Sequence, residues 1–396
     1  MLQKRGQTKE HKDFFSRNKL WMASATLMGT VIGAGVLGIP YVIAQSGLLL
    51  GIINLLVVGV ALLILHLCLG EITLRTKGLH QLSGYMEKYL GKLGKHFMAF
   101  SMIVGIYGAM TAYIIGEGEI IKTILGGNPI IYSLIFFALV SFIIFVGLKA
   151  TGRAEMVVTG LMILVVLVIG IFSFSNINTD YFSGIHWQSI FLPYGVILFA
   201  FVGTAAIPEL REQLIKEKKK MKKAIFLGSL IPIAIYLIFA VVVVGLIGLT
   251  NFNSLAPNDR IATIALSIFT NKGLGLAANI FAGFAMFTSF LGLGLALRQM
   301  YEYDYNVKKM WAFFITIIPP VIIAFSGLTN FIAILGFSGA IAGGVDGILI
   351  MLAYWKAKRQ GQRKPEYTIN IGKFITTLLI VMFSLGIIYQ LWQTFF

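Results

Sequence analysis

The sequence predicts an all-α protein that threads a membrane eleven times, as two five-helix halves of opposite orientation followed by one extra helix. Three observations predict it. The composition is too apolar for water, the apolar runs have the length and charged flanks of membrane spans, and a glycine- and proline-interrupted segment opens each half. Of 396 residues, 58% are hydrophobic and 12% charged, with a mean hydropathy of +0.86. A water-soluble domain has no interior large enough to hide that much apolar surface.

A hydrocarbon core about 30 Å thick needs about 20 apolar residues per helix. Eleven runs meet that need, at 20–46, 48–70, 97–124, 129–148, 154–176, 188–208, 223–249, 272–297, 308–326, 330–355 and 373–395. They divide the chain into a tail at 1–19, a first five-helix unit at 20–176, a second at 188–355 and an eleventh helix at 373–395. The tail is polar and has no apolar segment ahead of a small-residue cleavage site, so it does not read as a signal peptide.

The net charge of +16 suggests nucleic acid until the 32 Lys and Arg residues are sorted by loop. With the N-terminus cytoplasmic, 29 fall on inner segments and only Lys122, Arg260 and Lys272 on outer ones. That asymmetry is the positive-inside rule, and it places the tail inside and the C-terminus outside. The run KEKKKMKK at 216–223 then reads as a cytoplasmic loop near anionic lipid.

Catalytic and metal chemistry find little support. The single cysteine, Cys68, excludes an internal disulfide. His11, His66, His80, His96 and His186 have no metal-ligand spacing, and no Walker-type phosphate loop exists. A channel would favour rings of pore charge, and a membrane enzyme a catalytic cluster at the interface. Neither is visible, and no cofactor is expected.

The first span contains GTVIGAGVLGIPY, Gly29 to Tyr41, with Gly29, Gly33, Gly35, Gly38 and Pro40. Breaking a helix in hydrocarbon leaves N–H and C=O groups that something must satisfy. Close packing of neighbouring helices is the competing explanation for such glycines. The sixth span repeats the pattern: GVLGIP at 35–40 is echoed by GTAAIP at 203–208, 168 residues on. The same shift carries spans two to five close to spans seven to ten. An odd number of helices per half inverts the second, and paired interrupted helices in inverted halves point to a secondary transporter with its site at mid-membrane.

GTVIGAGVLGIPYVIAQSG in the first span, TAYIIGEGE in the third, FAFVGTAAIPELRE in the sixth and TSFLGLGL in the eighth resemble amino acid permeases of the amino acid/polyamine/organocation superfamily. The similarity is nearest to the amino acid/auxin permease group and its hydroxy and aromatic amino acid branch, and it covers essentially the whole chain. The resemblance implies the LeuT fold and import of an amino acid, neutral, hydrophobic or aromatic, by cation symport.

An amino acid needs partners for both of its charges. N–H groups near Ala34, Gly35 and Val36 start a half-helix and suit the carboxylate. Carbonyls released around Val31 and from Phe199 through Ala200 and Phe201 to Val202, beside Gly203, suit the ammonium. By resemblance, Tyr113 covers the substrate, and Phe199, Phe201, Thr204 and Ser289 face its side chain. Aromatic residues of the third span are equally readable as core.

Resemblance to sodium-coupled members implies a sodium site at the carbonyls of Gly29, Ile32 and Ala285 and the hydroxyls of Thr288 and Ser289. Neutral oxygens of this kind suit a hard cation. The fifth span has no lysine to replace it. The alternative is a proton, because the hydroxy and aromatic branch is generally proton-coupled and Asp346 is an intramembrane acid. Asp346 either titrates or forms a structural pair with Arg153 or another inner cation. Glu117 and Glu119 sit toward the outer end of the third span. Exchange of amino acids also remains open, as do oligomeric state and the substrate itself.

Overall fold

The computed structural model describes residues 19–147 and 152–395, without the side chains of 152–159, Met162 and Asp304. The tail at 1–18 and the Arg153 side chain lie outside that set. The described residues form helices and loops and contain no strand. Eight helices are long and apolar enough to cross a membrane, nine if a bent pair counts as one span. Two shorter apolar helices, Ile163–Asn176 and Lys309–Phe325, join them.

The bent pair is the first expected span. α1 (Lys19–Val31) stops, Gly33 is extended at φ −121° and ψ −159°, and a tight turn over Ala34–Gly38 leads into α2 (Ile39–Ser46). The two halves are bent by 44°. Pro40 sits in the first turn of α2, where its missing N–H costs no helix bond. The sixth expected span breaks in the same way. α7 (Pro193–Phe201) ends at Val202, whose ψ of 114° is extended, and α8 (Ala206–Gln213) resumes with Pro208 near its start.

Between these lie α3 (Leu48–Arg75), α4 (Leu82–Leu125), α5 (Pro129–Val146) and α6 (Gly152–Ser173). α4 departs from the expected start at 97. It begins fifteen residues earlier and turns at Gly91, φ 77°, which only glycine adopts readily. The polar stretch before 97 hid this helix from a hydropathy window.

Beyond α8 come α9 (Met221–Ser254), α10 (Ala262–Phe269), α11 (Lys272–Asp304) and α12 (Lys309–Phe325). α13 (Phe331–Ser338) passes through a wide turn, Gly339–Gly343, into α14 (Gly344–Gln360), and α15 (Lys373–Phe395) closes the chain. α10 was not expected from the sequence, because eight residues are too few for a membrane span.

α9 packs on α1, α2 and α3, while α7 packs on α3 and α13. α4 packs on α11, α13 and α14. The two broken segments are thereby enclosed by neighbouring helices, and open backbone survives at membrane depth only where protein encloses it or it lines a water-filled cavity.

Candidate functional site

The two breaks meet. A Cβ on Gly35 would stand 2.8 Å from Ala200 Cα and 3.0 Å from a Phe199 ring carbon. A Cβ on Gly203 would stand 2.7 Å from a Val31 methyl group and 2.8 Å from one of Leu27. Each opening glycine of the repeated motif therefore lets one broken helix lie against the other.

Two side chains from α3 and α9 hold the opened backbone. The Tyr236 hydroxyl donates to the carbonyl of Val31 at 2.7 Å and lies 3.1 Å from that of Ala200. The Gly203 N–H donates to His66 Nε2 at 3.2 Å, and His66 Nδ1 lies 3.0 Å from Ser229 Oγ. Nε2 must therefore be the unprotonated nitrogen, leaving Nδ1–H to donate to Ser229. Neither residue was singled out as part of the site from sequence, since a tyrosine or histidine in an apolar run reads as packing.

A cavity of about 580 Å³ ends on these breaks. Val31, Gly35, Tyr113, Phe199, Ala200, Val202, Thr204 and Ser289 are on its wall, whereas Ala34, Val36, Phe201 and Gly203 are not. Phe201 instead stacks on Tyr236, ring centroids 4.9 Å apart. The turn beginning at Ala34 has Gly33 before it and no side-chain cap, so the N–H groups of Ala34 and Gly35 lack intrahelical acceptors, whereas the Val36 N–H, expected to be free, donates to the Gly33 carbonyl at 3.4 Å. The Val31 carbonyl is less open than expected, because both Tyr236 and the Gly33 N–H donate to it. The Tyr113 phenol is buried beside the Ser289 hydroxyl.

Gly29, Ile32, Ala285, Thr288 and Ser289 line the same cavity. A Cβ on Gly33 would meet only Ser289 Oγ, at 3.9 Å, so the first break and α11 face each other across open space. The Thr288 hydroxyl lies 3.1 Å from the carbonyl of Phe284 and 3.2 Å from that of Ala285.

Asp346 is buried against hydroxyls. Ser101 donates to its Oδ1 at 2.6 Å and Thr204 to its Oδ2 at 3.0 Å. Ser101 also reaches the Ala342 carbonyl at 2.8 Å, within the wide turn. Among the described residues no cation pairs with Asp346. Thr204, expected beside the substrate side chain, points its hydroxyl at this carboxylate and so joins the second break to α4 and α14.

The cavity opens toward the ends of the helices that carry Gln81, Glu209, Gln299 and Tyr303. The opposite end is closed. Arg260 donates to the Tyr41 hydroxyl at 2.9 Å and lies 5.1 Å from its ring centre. Lys122 bridges Glu119 at 2.9 Å and Asp259 at 3.4 Å, and Gln45 donates to Asn253 at 2.6 Å. A separate cleft of about 700 Å³, lined by Val168, Phe172, Asn176 and Asn271 among others, touches neither break.

Comparison with known proteins places this geometry in context. The model of the tryptophan/tyrosine permease family matches residues 16–393. A protein of Aliivibrio fischeri named glutamine transporter 2 is 27% identical, covering 82% of this chain and 85% of its own. Tyrosine-specific transport system 1 of Haemophilus influenzae is 25% identical, covering 92% and 94%. A tryptophan-specific transport protein of Shigella flexneri is 23% identical, covering 90% and 91%.

Proposed function

The chain belongs to the tryptophan/tyrosine permease family, whose members are transport permeases and not enzymes, and from that premise we propose that it is a secondary active transporter importing an aromatic or other neutral amino acid. The observation that carries this reading is the 580 Å³ cavity ending on two helix breaks. Its volume suits one small-molecule substrate. The names of the relatives favour an aromatic side chain and keep glutamine as a polar alternative.

In this reading the apolar helices form the LeuT arrangement of the amino acid/polyamine/organocation superfamily, five plus five inverted and one more, with the breaks at equivalent positions. The repeated Gly-x-x-small-Ile-Pro motif supports it, each copy beginning at a break. The uncapped N–H groups at Ala34 and Gly35 take the carboxylate, and carbonyls around Val202 that Tyr236 leaves open take the ammonium. Tyr113 and Phe199 enclose the side chain.

Transport is by cation symport and alternating access, with sodium favoured at Gly29, Ile32, Ala285, Thr288 and Ser289. Proton coupling through Asp346 is the second reading, favoured by its position between Ser101 and Thr204. Exchange is a third. The protein lies in the plasma membrane with the N-terminus cytoplasmic. The cavity mouth then faces the cytoplasm, as an inward-open state, and the Arg260–Tyr41 contact closes the outer side.

Thermal stability of the purified protein with each of the twenty amino acids tests the substrate assignment, since a ligand of the native state raises its apparent stability. Tryptophan, tyrosine, phenylalanine or glutamine should give the largest shifts. Stabilisation by none of the twenty would overturn the reading.

A further inference from the structure

Away from the cavity mouth, toward the closed end, α4 carries a carboxyl with no counter-charge. Glu117 is 5% exposed, and no ion pair or hydrogen bond reaches it among the described residues. The nearest cation on its own helix, Lys122, is occupied by Glu119 and Asp259. Glu117 faces α11 at Gly283, where a Cβ would stand 3.3 Å from Oε2.

The next turn of α11 carries Asn279, fully buried, with both amide atoms unpartnered among the described residues. One turn beyond that, Gly275 packs directly on Ser267 of α10. Only Thr270 and Asn271 join α10 to α11, and the two helices pack on each other as a hairpin, so one turn back along α10 comes level with Asn279. Thr263 stands at that level, 4% exposed, with a hydroxyl unpartnered among the described residues. Three successive turns of α11 thus run from Glu117, through Asn279, to α10. Buried polar groups are normally satisfied, and an intramembrane acid is expensive unless something neutralises it.

We propose that Glu117, Asn279 and Thr263 form a second cation site, distinct from the sodium set at Ala285 to Ser289. Its donors are a carboxylate, an amide oxygen and a hydroxyl, all hard oxygens with one negative charge between them. That set fits a monovalent cation, sodium or a proton, and offers too few carboxylates for calcium. Other titratable groups on the outer parts of the surrounding elements are Tyr113, Glu119 and Lys122 on α4, Tyr132 on α5, and Asp259 and Arg260 in the turn Pro257–Arg260, which packs on α4 and α10. α10 and α13 carry none, and α11 carries none between Lys272 and Arg298. Glu117 lies one turn from Tyr113 on α4, so the site sits just outward of the substrate gap. Its use in transport rests on the permease reading, but the binding itself does not.

The test uses purified full-length protein and requires no transport. Thermal stability is measured against sodium chloride at constant ionic strength, and infrared spectra against pH, for wild type, Glu117→Gln, Asn279→Ala, Thr263→Val and Thr288→Ala. If sodium is the occupant, half-saturation rises at least tenfold in Glu117→Gln and in Asn279→Ala. If the proton is the occupant, a protonated-carboxyl band is present in wild type, absent in Glu117→Gln and displaced in Asn279→Ala. Should Glu117→Gln fail to fold, Asn279→Ala and Thr263→Val carry the same two readouts. Sodium stabilisation lost only in Thr288→Ala, with no such carboxyl band, overturns the second site and leaves the first intact. Absence of both responses overturns it as well.

Discussion

The Tyr236 hydroxyl donates to the main-chain carbonyl of Val31 at 2.7 Å, so α9, which is helical through Tyr236 and turns later at Gly248, supplies a hydrogen bond to the carbonyl at which the broken helix α1 ends. The same hydroxyl lies 3.1 Å from the carbonyl of Ala200. Both broken segments are therefore pinned to one atom and are expected to move together. Tyr236→Phe keeps the ring against Phe201 and removes the one hydroxyl proton that the two carbonyls share; Val31 keeps the Gly33 N–H, whereas the Ala200 carbonyl loses this donor, at about 1–3 kcal/mol for an unsatisfied group. Since 1.4 kcal/mol is about a factor of ten, uptake should fall about tenfold or more while the protein still inserts and purifies. Wild-type uptake in this variant would reduce the contact to packing.

The two glycines of the first break should respond differently to one methyl group. Gly35→Ala places a Cβ 2.8 Å from the Ala200 backbone, which cannot give way, and should abolish binding. Gly33→Ala meets only a hydroxyl at 3.9 Å and should fold normally, changing only which substrates fit. Binding isotherms for both variants check this, and equal behaviour would count against the direct contact of the two breaks.

Thr204 reports on Asp346 without altering its charge. Thr204→Val removes one of the two hydroxyl donors to that carboxylate, while Thr204→Ser retains it. Uptake should be impaired in the first and restored in the second. Loss in both would indicate that the methyl group, rather than the hydrogen bond, matters.

The cavity mouth fixes a direction of access. Ala205 lies on its wall and is exposed, and the native Cys68 is fully buried. A membrane-impermeant thiol reagent should modify Ala205→Cys from the cytoplasmic face, and wild type from neither. An N-terminal tag should be accessible on that same face and a C-terminal tag on the other. Both tags on one face would remove the odd helix count and the inverted repeat.

The breaks were legible in the sequence because glycine and proline act locally: each removes a reason for the helix to continue. The expected cavity residues Val31, Gly35, Tyr113, Phe199 and Ser289 do share a wall. What holds the opened backbone was not legible. Tyr236 and His66 lie far along the chain from the atoms they bind, and only the packing of α3 and α9 brings them there. Asp346 announced itself as an intramembrane acid, but its partners Ser101 and Thr204, 245 and 142 residues away, depend on tertiary structure. The Gly91 turn and α10 were hidden for a simpler reason, since neither belongs to an apolar run of membrane length.

Uptake into proteoliposomes with an amino acid-free lumen measures cation-driven accumulation of an amino acid without any other step intervening. Labelled substrate is supplied under an imposed sodium gradient or an imposed proton gradient, to wild type, Thr288→Ala and Asp346→Asn. The sodium gradient is expected to drive accumulation, and Thr288→Ala to weaken sodium activation more than Asp346→Asn does. Accumulation driven by a pH gradient in sodium-free buffer, lost in Asp346→Asn and kept in Thr288→Ala, would replace sodium with a proton. No accumulation under either gradient, with uptake only into liposomes preloaded with amino acid, would contradict symport altogether.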